Sequence, residues 1–185
     1  ASPFCLGKPL RRCEMLSALA VRHGVPVFYC NAVGGNDQLV FDGNSLAVDA
    51  RGRLLAQLPA FEEAIRIVDT DAAPLPGCQP VEPARELFEA LSLGLRDYLR
   101  KCGFKGVVLG LSGGIDSAVT AAIAVHALGA ANVHGVAMPT QYSSQGSIDD
   151  ALALARNLGI RCPIIPIQQP FETLRALLAP EFEGL

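Results

Sequence analysis

The stretch Gly110-Leu111-Ser112-Gly113-Gly114-Ile115-Asp116-Ser117 decides the fold of the C-terminal half, because it joins an apolar run to a helical one. Residues 106–111 read GVVLGL and predict a short buried strand, whereas residues 116–128 read DSAVTAAIAVHAL and predict a helix. Adjacent glycines let backbone N–H groups face an anion, and a helix N-terminus adds unpaired donors and the positive end of its dipole. The stretch therefore predicts a phosphate-binding loop.

Three side chains of this loop bear on its ligand. The hydroxyls of Ser112 and Ser117 supply further donors to phosphate oxygens. The carboxylate of Asp116 would repel phosphate unless a divalent cation lies between them, so this residue predicts a magnesium ligand. A helix N-cap is the alternative role for Asp116, since aspartate is a preferred N-cap residue.

Two better-known phosphate loops do not fit the same stretch. A Walker A loop requires a lysine before its Ser or Thr, and no lysine follows Lys105. A dinucleotide fingerprint requires an acidic residue at the end of the next strand, where this sequence has Met138-Pro139. Met138 nevertheless follows that strand, where an adenine could lie, although core packing is the interpretation that we favour for its side chain.

A nucleophile elbow, G-x-S-x-G, is the competitor that residues 110–114 match letter for letter. It would make Ser112 the nucleophile of a serine hydrolase. The required order Ser, acid, His cannot be assembled, because His126 and His134 both precede the next carboxylates. This hydrolase, a packing turn without a ligand and a nucleotide-binding module without catalysis stay open as alternatives.

The composition excludes several classes of partner. Half of the 185 residues are hydrophobic and the formal net charge is -3, so the sequence has no basic surface and predicts no nucleic-acid partner. No apolar run reaches the roughly 18 residues of a membrane helix, and no signal peptide is recognised, so no membrane partner and a cytoplasmic location are expected. The six cysteines form no C-x-x-C pair, which favours reduced, buried thiols.

A proline-rich connector divides the chain. Four prolines and Gly77 between Pro74 and Pro83 can continue neither a helix nor a sheet ladder. The sequence therefore predicts a first domain at residues 1–71, a connector at residues 72–83 and a second domain at residues 84–185.

The hydrophobic pattern predicts different elements on the two sides of this connector. In the first domain, Arg11, Arg12 and Glu14 predict the solvated face of a helix. The predicted elements there are helix 8–23 closed by Gly24, strands 25–33, 39–48 and 53–58, turns 34–37 and 51–52, and an edge strand 64–68. The elements predicted for the second domain are helix 84–102, strand 106–111, helix 116–128, strand 132–138, helix 147–158, strand 160–167 and helix 170–179. Leucines at 87, 91, 95 and 99 form a stripe on the first of these helices, and Ser147 and Asp150 are predicted to cap helix 147–158. This alternation predicts a parallel α/β sheet with right-handed crossovers.

Several segments then carry a family resemblance. SGGIDS at 112–117 resembles the SGGxDS pyrophosphate loop of the adenine nucleotide alpha hydrolase-like ATP pyrophosphatases. MPTQYSS at 138–144 and SIDDA at 147–151 resemble the second strand, loop and helix of NAD synthetases. Ala1-Ser2-Pro3-Phe4 and NAVGGND at 31–37 resemble the last part of a nitrilase-type glutaminase domain. This order of domains is similar to that of the glutamine-dependent NAD synthetase family.

The resemblance implies the C-terminal part of a nitrilase-like α-β-β-α sandwich, followed by an adenine nucleotide alpha hydrolase-like, Rossmann-like parallel α/β domain, both incomplete. It also implies a ligase that amidates deamido-NAD to NAD with ammonia from glutamine, through an adenylate, releasing AMP and pyrophosphate. ATP and Mg²⁺ would be the cofactors, and a homo-oligomer is expected for the complete protein. An SGGxDS-type ATP pyrophosphatase that amidates or thiolates another acceptor is the alternative.

The resemblance also implies which residues bind these ligands. Ser2 and Lys8 would bind glutamine, although relatives often carry Arg at the second position and a solvated lysine is the alternative there. No glutaminase catalytic residue is predicted within the chain, and Cys5 is interpreted as a bystander thiol. Because the glutaminase Glu, Lys and Cys and much of the deamido-NAD site are expected outside it, residues 1–185 alone are expected to be inactive. The implied ATP-binding residues are Gly110, Leu111, Ser112, Gly113, Gly114, Ile115, Asp116 and Ser117, with Asp116 as the metal ligand.

Overall fold

A computed structural model describes residues 1–79 and 81–182 of the chain. Two compact units divide between Cys102 and Gly103. Within the described residues, no helix has both the length and the apolar character needed to cross a bilayer.

The first unit packs one amphipathic helix on a small antiparallel sheet. Its elements are α1 Lys8–His23, β1 Val27–Tyr29, β2 Val33–Asn36, β3 Leu39–Asp42, β4 Leu46–Val48, β5 Leu54–Gln57 and α2 Pro83–Cys102. Strands β1, β4 and β5 form one sheet in that spatial order, and β2 and β3 form an antiparallel hairpin. Leu16 and Ala20 of α1 bury their side chains against Leu46 and Val48 of β4, since these positions recur every four residues on one face of the helix.

The structure confirms some predicted elements of this unit and corrects others. Helix α1 has the predicted bounds and ends at Gly24 in the left-handed conformation. The predicted strand 39–48 is two strands, because Gly43 and Asn44 have φ values of +60° and +51° and turn the chain. The predicted turn at 34–37 is wrong, since residues 33–36 form β2 and the turn begins at Asp37 with φ +51°. The predicted strand 25–33 is interrupted between β1 and β2.

The predicted edge strand at 64–68 is wrong as well. The segment forms no strand, and the side chains of Ile65 and Ile67 are 101% and 96% exposed. Alternating apolar residues therefore do not mark a buried strand face at this position.

Helix α2 packs on the β2–β3 hairpin, which makes it part of the first compact unit. A Cβ placed on Gly35 would lie 3.1 Å from the Cα of Gly94, so two glycines permit a close helix-to-strand approach. Glu86 and Asp97 of α2 are buried, whereas Leu87 and Leu91 of the predicted leucine stripe are exposed. The helix predicted to open the second domain thus packs on the first unit, and the domain boundaries stay a prediction.

A disulfide between Cys13 and Cys78 joins α1 to the proline-rich connector. The expectation of reduced, buried thiols is therefore wrong for this pair. It also fails for Cys5, Cys30 and Cys102, whose side chains are exposed. Sixty-five residues separate the paired cysteines, so their spacing gives no sequence signal; they meet because the connector returns to α1.

Replacement of Cys78 by serine is expected to lower the free energy of unfolding by about 2–4 kcal/mol, the usual contribution of a disulfide that closes a long loop. The measurement is urea denaturation of the non-reduced complete protein, compared with the same protein after reduction. Cys102→Ser removes an exposed free thiol and serves as the control. Equal midpoints for wild type and Cys78→Ser without reductant would rule out a stabilising crosslink.

The second unit is a parallel α/β arrangement, as predicted. Its elements are β6 Val107–Gly110, α3 Ile115–Leu128, a 3-10 turn Ala130–Asn132, β7 Val133–Val136, α4 Gln145–Leu158, α5 Gln168–Leu178 and a second 3-10 turn Ala179–Glu181. Strands β6 and β7 pair in parallel from Val107↔Val133 to Gly110↔Val136.

The third predicted strand, 160–167, appears only as isolated parallel bridges from Arg161 to His134 and from Ile164 to Ala137. Pro163 and Pro166 lack the N–H that a continuous ladder requires, which explains the interruption. The segment still runs parallel to β7 and lies beside it.

Candidate functional site

The predicted phosphate loop connects β6 to α3 and is held by its own hydrogen bonds. The Gly114 N–H donates to Ser112 Oγ at 3.2 Å, and the Ser112 N–H donates to Ser117 Oγ at 3.3 Å. The Ser117 hydroxyl donates to the Gly114 carbonyl at 2.9 Å. Gly114 is the N-cap of α3, so the first turn of the helix directs its unpaired N–H groups to the loop side. The two serines, whose hydroxyls were predicted to donate to phosphate, therefore also hold the loop in its conformation.

Gly113 lies where the loop meets the first turn of α4. Its φ is +80°, and a Cβ at this position would overlap the Ser147 carbonyl group, 2.8 Å from the carbonyl carbon. Helix α4 begins with Ser144 as its N-cap, which accepts a hydrogen bond from the Ser147 N–H at 3.1 Å. The capping pair Ser147 and Asp150 is therefore a wrong prediction, because the helix starts one turn earlier. Both the left-handed φ and the close approach require glycine at position 113.

A cavity of about 280 Å³ opens between this loop and the segment that follows β7. Met138 is 48% exposed and lines the cavity, so the interpretation of its side chain as core packing is wrong. Tyr142, Ser144 and Ser147 also line it, and sequence reasoning assigned none of them to a site. The available signal was their position between the carboxyl end of β7 and the start of α4, where open α/β sheets bind ligands. The complete lining is Leu111, Ser112, Ala137, Met138, Pro139, Tyr142, Ser143, Ser144, Ser147 and Ile148.

The predicted loop residues differ in what they can present to a ligand. The side chain of Leu111 is buried at 4% exposure, and its N–H donates to the Val136 carbonyl. Ile115 is 75% exposed, and Gly110 ends β6 opposite Val136. These three residues can thus meet a nucleotide mainly through the backbone, whereas Ser112 and Ser117 also offer side chains.

Asp116 is exposed and is the second residue of α3. Because Gly114 is the N-cap, the alternative role of Asp116 as an N-cap is wrong. The part of the chain that the structure describes contains no group of three His, Cys, Asp or Glu side chains able to hold a metal. A magnesium ion that is bound mainly by phosphate oxygens and water needs only one or two protein carboxylates, so Asp116 fits that donor set.

The serine hydrolase alternative lacks support from this geometry. Ser112 Oγ interacts with Ser117 Oγ at 3.2 Å and accepts from the Gly114 N–H. His126 lies in the last turn of α3, about 16 Å along the helix axis from its start at 1.5 Å per residue. His134 pairs with Val108, near the opposite end of β6 from the loop. Neither histidine is placed as a general base for Ser112.

Ser2 and Lys8 line a second cavity, of about 520 Å³, in the first unit. Asn31 holds Ser2 through both backbone groups: the Ser2 N–H donates to Asn31 Oδ1 at 2.7 Å, and Asn31 Nδ2 donates to the Ser2 carbonyl at 3.1 Å. The Lys8 ammonium donates to the Pro3 carbonyl at 2.7 Å. Both residues are half-buried, so the alternative of a freely solvated Lys8 is not what the structure shows. Cys5 lines the same cavity with an exposed thiol.

A buried ion pair lies beside this cavity. Arg12 donates to both carboxylate oxygens of Asp42, at 3.1 and 3.2 Å, and the two side chains are only 4% and 1% exposed. The guanidinium of Arg12 also lies 5.0 Å from the ring centre of Tyr29. The predicted solvated face is therefore wrong for Arg12, although Arg11 and Glu14 are exposed. The missed signal is that Arg12 stands four residues before Leu16, on the buried face of α1.

The carboxyl of Glu86 adds a charged group from α2. The side chain is 6% exposed. Burial raises the pKa of Glu86 above its ordinary value, a hydrogen bond from the Gly7 N–H lowers it, and the nearby charge of Asp42 raises it. Sequence reasoning did not select this residue.

The predicted phosphate loop, the parallel strands and the cavity at their carboxyl ends define a parallel α/β unit with a candidate ligand site. The NAD synthase family model matches residues 87–184, more than half of the chain, and the chain belongs to this family. The carbon-nitrogen hydrolase model matches residues 2–75.

Relatives and solved structures match both parts together. The chain is 47% identical to a glutamine-dependent NAD(+) synthetase of Synechocystis over 99% of its own length and 34% of that protein. It is 42% identical to the enzyme of that name from Thermotoga maritima, over 100% of this chain and 38% of the relative. A structure of glutamine-dependent NAD+ synthetase from Acinetobacter baumannii in complex with ADP is 39% identical with a TM-score of 0.92, covering 100% of this chain and 36% of that one. The chain thus spans roughly a third of the length of these relatives.

Proposed function

We propose that the complete protein is a ligase that converts deamido-NAD to NAD, using ATP and ammonia released from glutamine. The observation that carries this proposal is the SGGIDS loop, which is packed through Gly113 on α4 beside a cavity at the carboxyl ends of two parallel strands. Membership of the NAD synthase family and the similarity to glutamine-dependent synthetases support it.

The loop is suited to a reaction in which ATP activates a carboxylate. An oxygen of the nicotinate carboxylate attacks the α-phosphorus of ATP, the α–β bridging bond breaks, and pyrophosphate leaves. Ammonia then attacks the acyl carbon of the adenylate, AMP departs, and the nitrogen loses a proton to give the amide. The backbone of Gly113 and Gly114 and the hydroxyls of Ser112 and Ser117 would hold the leaving pyrophosphate. Magnesium bound beside Asp116 would neutralise the charge on its oxygens.

The cavity in the second unit would take the adenosine part of ATP. Met138 and Ile148 offer apolar surface to an adenine, while Ser144 and Ser147 offer hydroxyls. The similar Acinetobacter baumannii structure is a complex with ADP, which supports an adenine nucleotide as a ligand of the complete protein.

Ser2 and Lys8 would contact glutamine in the first unit. The ammonium of Lys8 suits the substrate carboxylate, and the hydroxyl of Ser2 suits an amide or carboxylate oxygen. Their common cavity and the fixation of Ser2 by Asn31 support this assignment. Deamido-NAD contacts, a homo-oligomer and a cytoplasmic location stay predictions.

A product assay of the complete protein tests the proposed reaction. Incubation with ATP, Mg²⁺ and deamido-NAD, with glutamine or ammonia as the nitrogen source, should yield NAD, AMP and pyrophosphate in equal amounts. Parallel reactions with other carboxylic acids test the alternative acceptors. Pyrophosphate release with another acid but not with deamido-NAD would assign a different acceptor, and nucleotide binding without any release would show a module without catalysis.

Replacement of Asp116 by asparagine is expected to raise the Mg²⁺ concentration for half-maximal NAD formation about tenfold, because the neutral amide is a weaker ligand for a hard cation. Ammonia-dependent NAD formation is measured at a series of Mg²⁺ concentrations and constant free ATP. Asp150→Asn, which removes an exposed carboxylate of α4, is the matched control. An unchanged Mg²⁺ dependence in Asp116→Asn would remove this residue from the metal site.

A further inference from the structure

Asn31 holds Ser2 from outside the cavity in which glutamine is proposed to bind. Asn31 is 8% exposed, and its side chain bonds both backbone groups of Ser2, accepting from the N–H at 2.7 Å and donating to the carbonyl at 3.1 Å. The Ser2 hydroxyl takes no part in these two bonds. Among the described residues, the lining of the cavity includes Ser2 but not Asn31, so Asn31 contacts the site through Ser2.

The orientation of the Asn31 amide is determined by Asp42. The Nδ2 group of Asn31 donates its second proton to Asp42 Oδ1 at 3.1 Å. Rotation of the amide by half a turn would place Nδ2 against the Ser2 N–H, and Oδ1 against the Ser2 carbonyl and the Asp42 carboxylate. Every contact would then join two donors or two acceptors. The carboxylate therefore selects the orientation in which the amide can bond both backbone groups of Ser2.

Both partners of this contact are themselves held in place. Asp42 is 1% exposed and accepts from both terminal nitrogens of Arg12, at 3.1 and 3.2 Å. The Asn31 N–H donates to Ser45 Oγ at 3.0 Å. Buried ion pairs add little net stability compared with apolar residues, whereas fixing one conformation is a role that they can fill. A series of hydrogen bonds thus runs from α1 through the end of β3 to Ser2.

The two residues after Ser2 are held by β3 and not by the amide. Pro3 forms an isolated antiparallel bridge with Phe41. The Phe4 N–H donates to the Val40 carbonyl at 2.6 Å. Loss of the amide contact would therefore release Ser2 while the rest of this segment stays on the strand.

We propose that Asn31 is a positioning residue for glutamine, which places the Ser2 hydroxyl by holding both backbone groups of Ser2 in the amide orientation that Asp42 selects. This inference rests on the proposed function of the complete protein. It goes further in giving the buried pair of Arg12 and Asp42 a role in glutamine binding, through the amide that Asp42 orients.

The first test asks whether Asn31 acts through Ser2. Asn31→Ala is made in the complete wild-type protein and in Ser2→Ala, and KM and kcat are measured with glutamine as the nitrogen source. We expect Asn31→Ala to raise the KM for glutamine about tenfold in the wild type, because two hydrogen bonds that fix Ser2 are lost. The increase should be less than about twofold when Ser2→Ala is already present, since residues that act as one unit are not additive.

Two controls accompany this cycle. NAD formation with saturating ammonia should change by less than about twofold in Asn31→Ala, which separates glutamine binding from a loss of fold. Asn36→Ala removes an exposed amide of β2 and should resemble wild type with both nitrogen sources.

The second test asks whether Asp42 orients the amide. Asn31→Asp keeps an acceptor for the Ser2 N–H but places its second oxygen against Asp42 Oδ1, at the 3.1 Å that Nδ2 spans in the wild type. We expect a KM for glutamine at least about tenfold higher. Addition of Asp42→Asn exchanges the two side chains, restores one amide and one carboxylate, and should recover about threefold of that loss.

An unchanged KM for glutamine in Asn31→Ala would overturn the inference, as would an equal loss with glutamine and with ammonia. Equal increases in KM with and without Ser2→Ala would show that Asn31 does not act through Ser2. An exchanged pair no better than Asn31→Asp alone would remove Asp42 from this role. Absence of ammonia-dependent NAD formation in wild type would instead refute the proposed function.

Discussion

Replacement of Gly113 by alanine is expected to reduce NAD formation by the complete protein at least about 100-fold, with glutamine and with ammonia alike. The alanine Cβ would overlap the Ser147 carbonyl group, and the φ of +80° is unfavourable for any residue with a Cβ. The loop or the start of α4 must therefore move. A displacement of about 1 Å at a phosphate-binding loop is enough for a loss of this size.

Gly146→Ala is the matched control, since it adds the same methyl group one residue from Ser147. Its nearest neighbour is Ser144 Oγ at 4.0 Å, and its backbone is not in the left-handed region. We expect this variant to keep nearly full activity. The assay is the initial rate of NAD formation at saturating ammonia, with circular dichroism to verify folding. A folded Gly113→Ala protein with more than about a tenth of wild-type activity would contradict the assigned role of the loop.

Replacement of Arg12 by methionine is expected to lower the free energy of unfolding by about 3–5 kcal/mol, because it leaves the carboxylate of Asp42 buried without its partner. Asp42 is 1% exposed, and among the residues that the structure describes its carboxylate would keep only the hydrogen bond from Asn31 Nδ2 at 3.1 Å. Methionine retains most of the volume of the arginine side chain, so the loss reports the charge rather than a cavity. Urea denaturation of the complete protein, followed by circular dichroism, measures it.

Two further variants make this test specific. Arg11→Met changes an exposed arginine of the same helix and should alter stability by less than about 0.5 kcal/mol. Addition of Asp42→Asn to Arg12→Met removes the unpaired charge and should restore part of the lost stability. A double variant that is less stable than Arg12→Met alone would show that the unpaired carboxylate is not the cause of the loss.

Local signals predicted much of the fold. Glycines at 24, 103, 129 and 159 lie at or just beyond helix ends, and α1 and α2 end where such a glycine predicts. The strand, loop and helix between residues 107 and 128 were predicted because glycine at 113, an apolar strand before it and a helix after it are all local features. These features depend on the backbone of one short segment, which explains why the sequence alone identifies them.

Features formed by distant residues could not be predicted in the same way. The disulfide between Cys13 and Cys78 and the burial of Glu86 depend on how the connector and α2 return to the first unit. Arg12 was misassigned because its partner, Asp42, lies 30 residues away. Nothing in the local pattern of a charged residue reveals a buried partner at that separation.

Predicted strands failed for a different reason. The segment 160–167 has the composition of a strand, but its prolines reduce it to isolated bridges beside β7. Asn44 adopts the left-handed conformation and interrupts a predicted strand. Asparagine adopts this conformation only sometimes, so its presence does not predict a break. The hydrophobic pattern therefore predicts that an extended segment is present better than it predicts whether that segment forms continuous backbone hydrogen bonds with its neighbour.

The fate of one oxygen atom tests whether the loop at 110–117 serves an ATP reaction that releases pyrophosphate. Deamido-NAD labelled with ¹⁸O in its nicotinate carboxylate is converted by the complete protein with ATP, Mg²⁺ and ammonia, and the products are examined by mass spectrometry. Attack of the carboxylate on the α-phosphorus predicts one labelled oxygen in AMP and none in pyrophosphate. Label in inorganic phosphate, with ADP as the nucleotide product, would place the attack at the γ-phosphorus and contradict adenylation of the substrate.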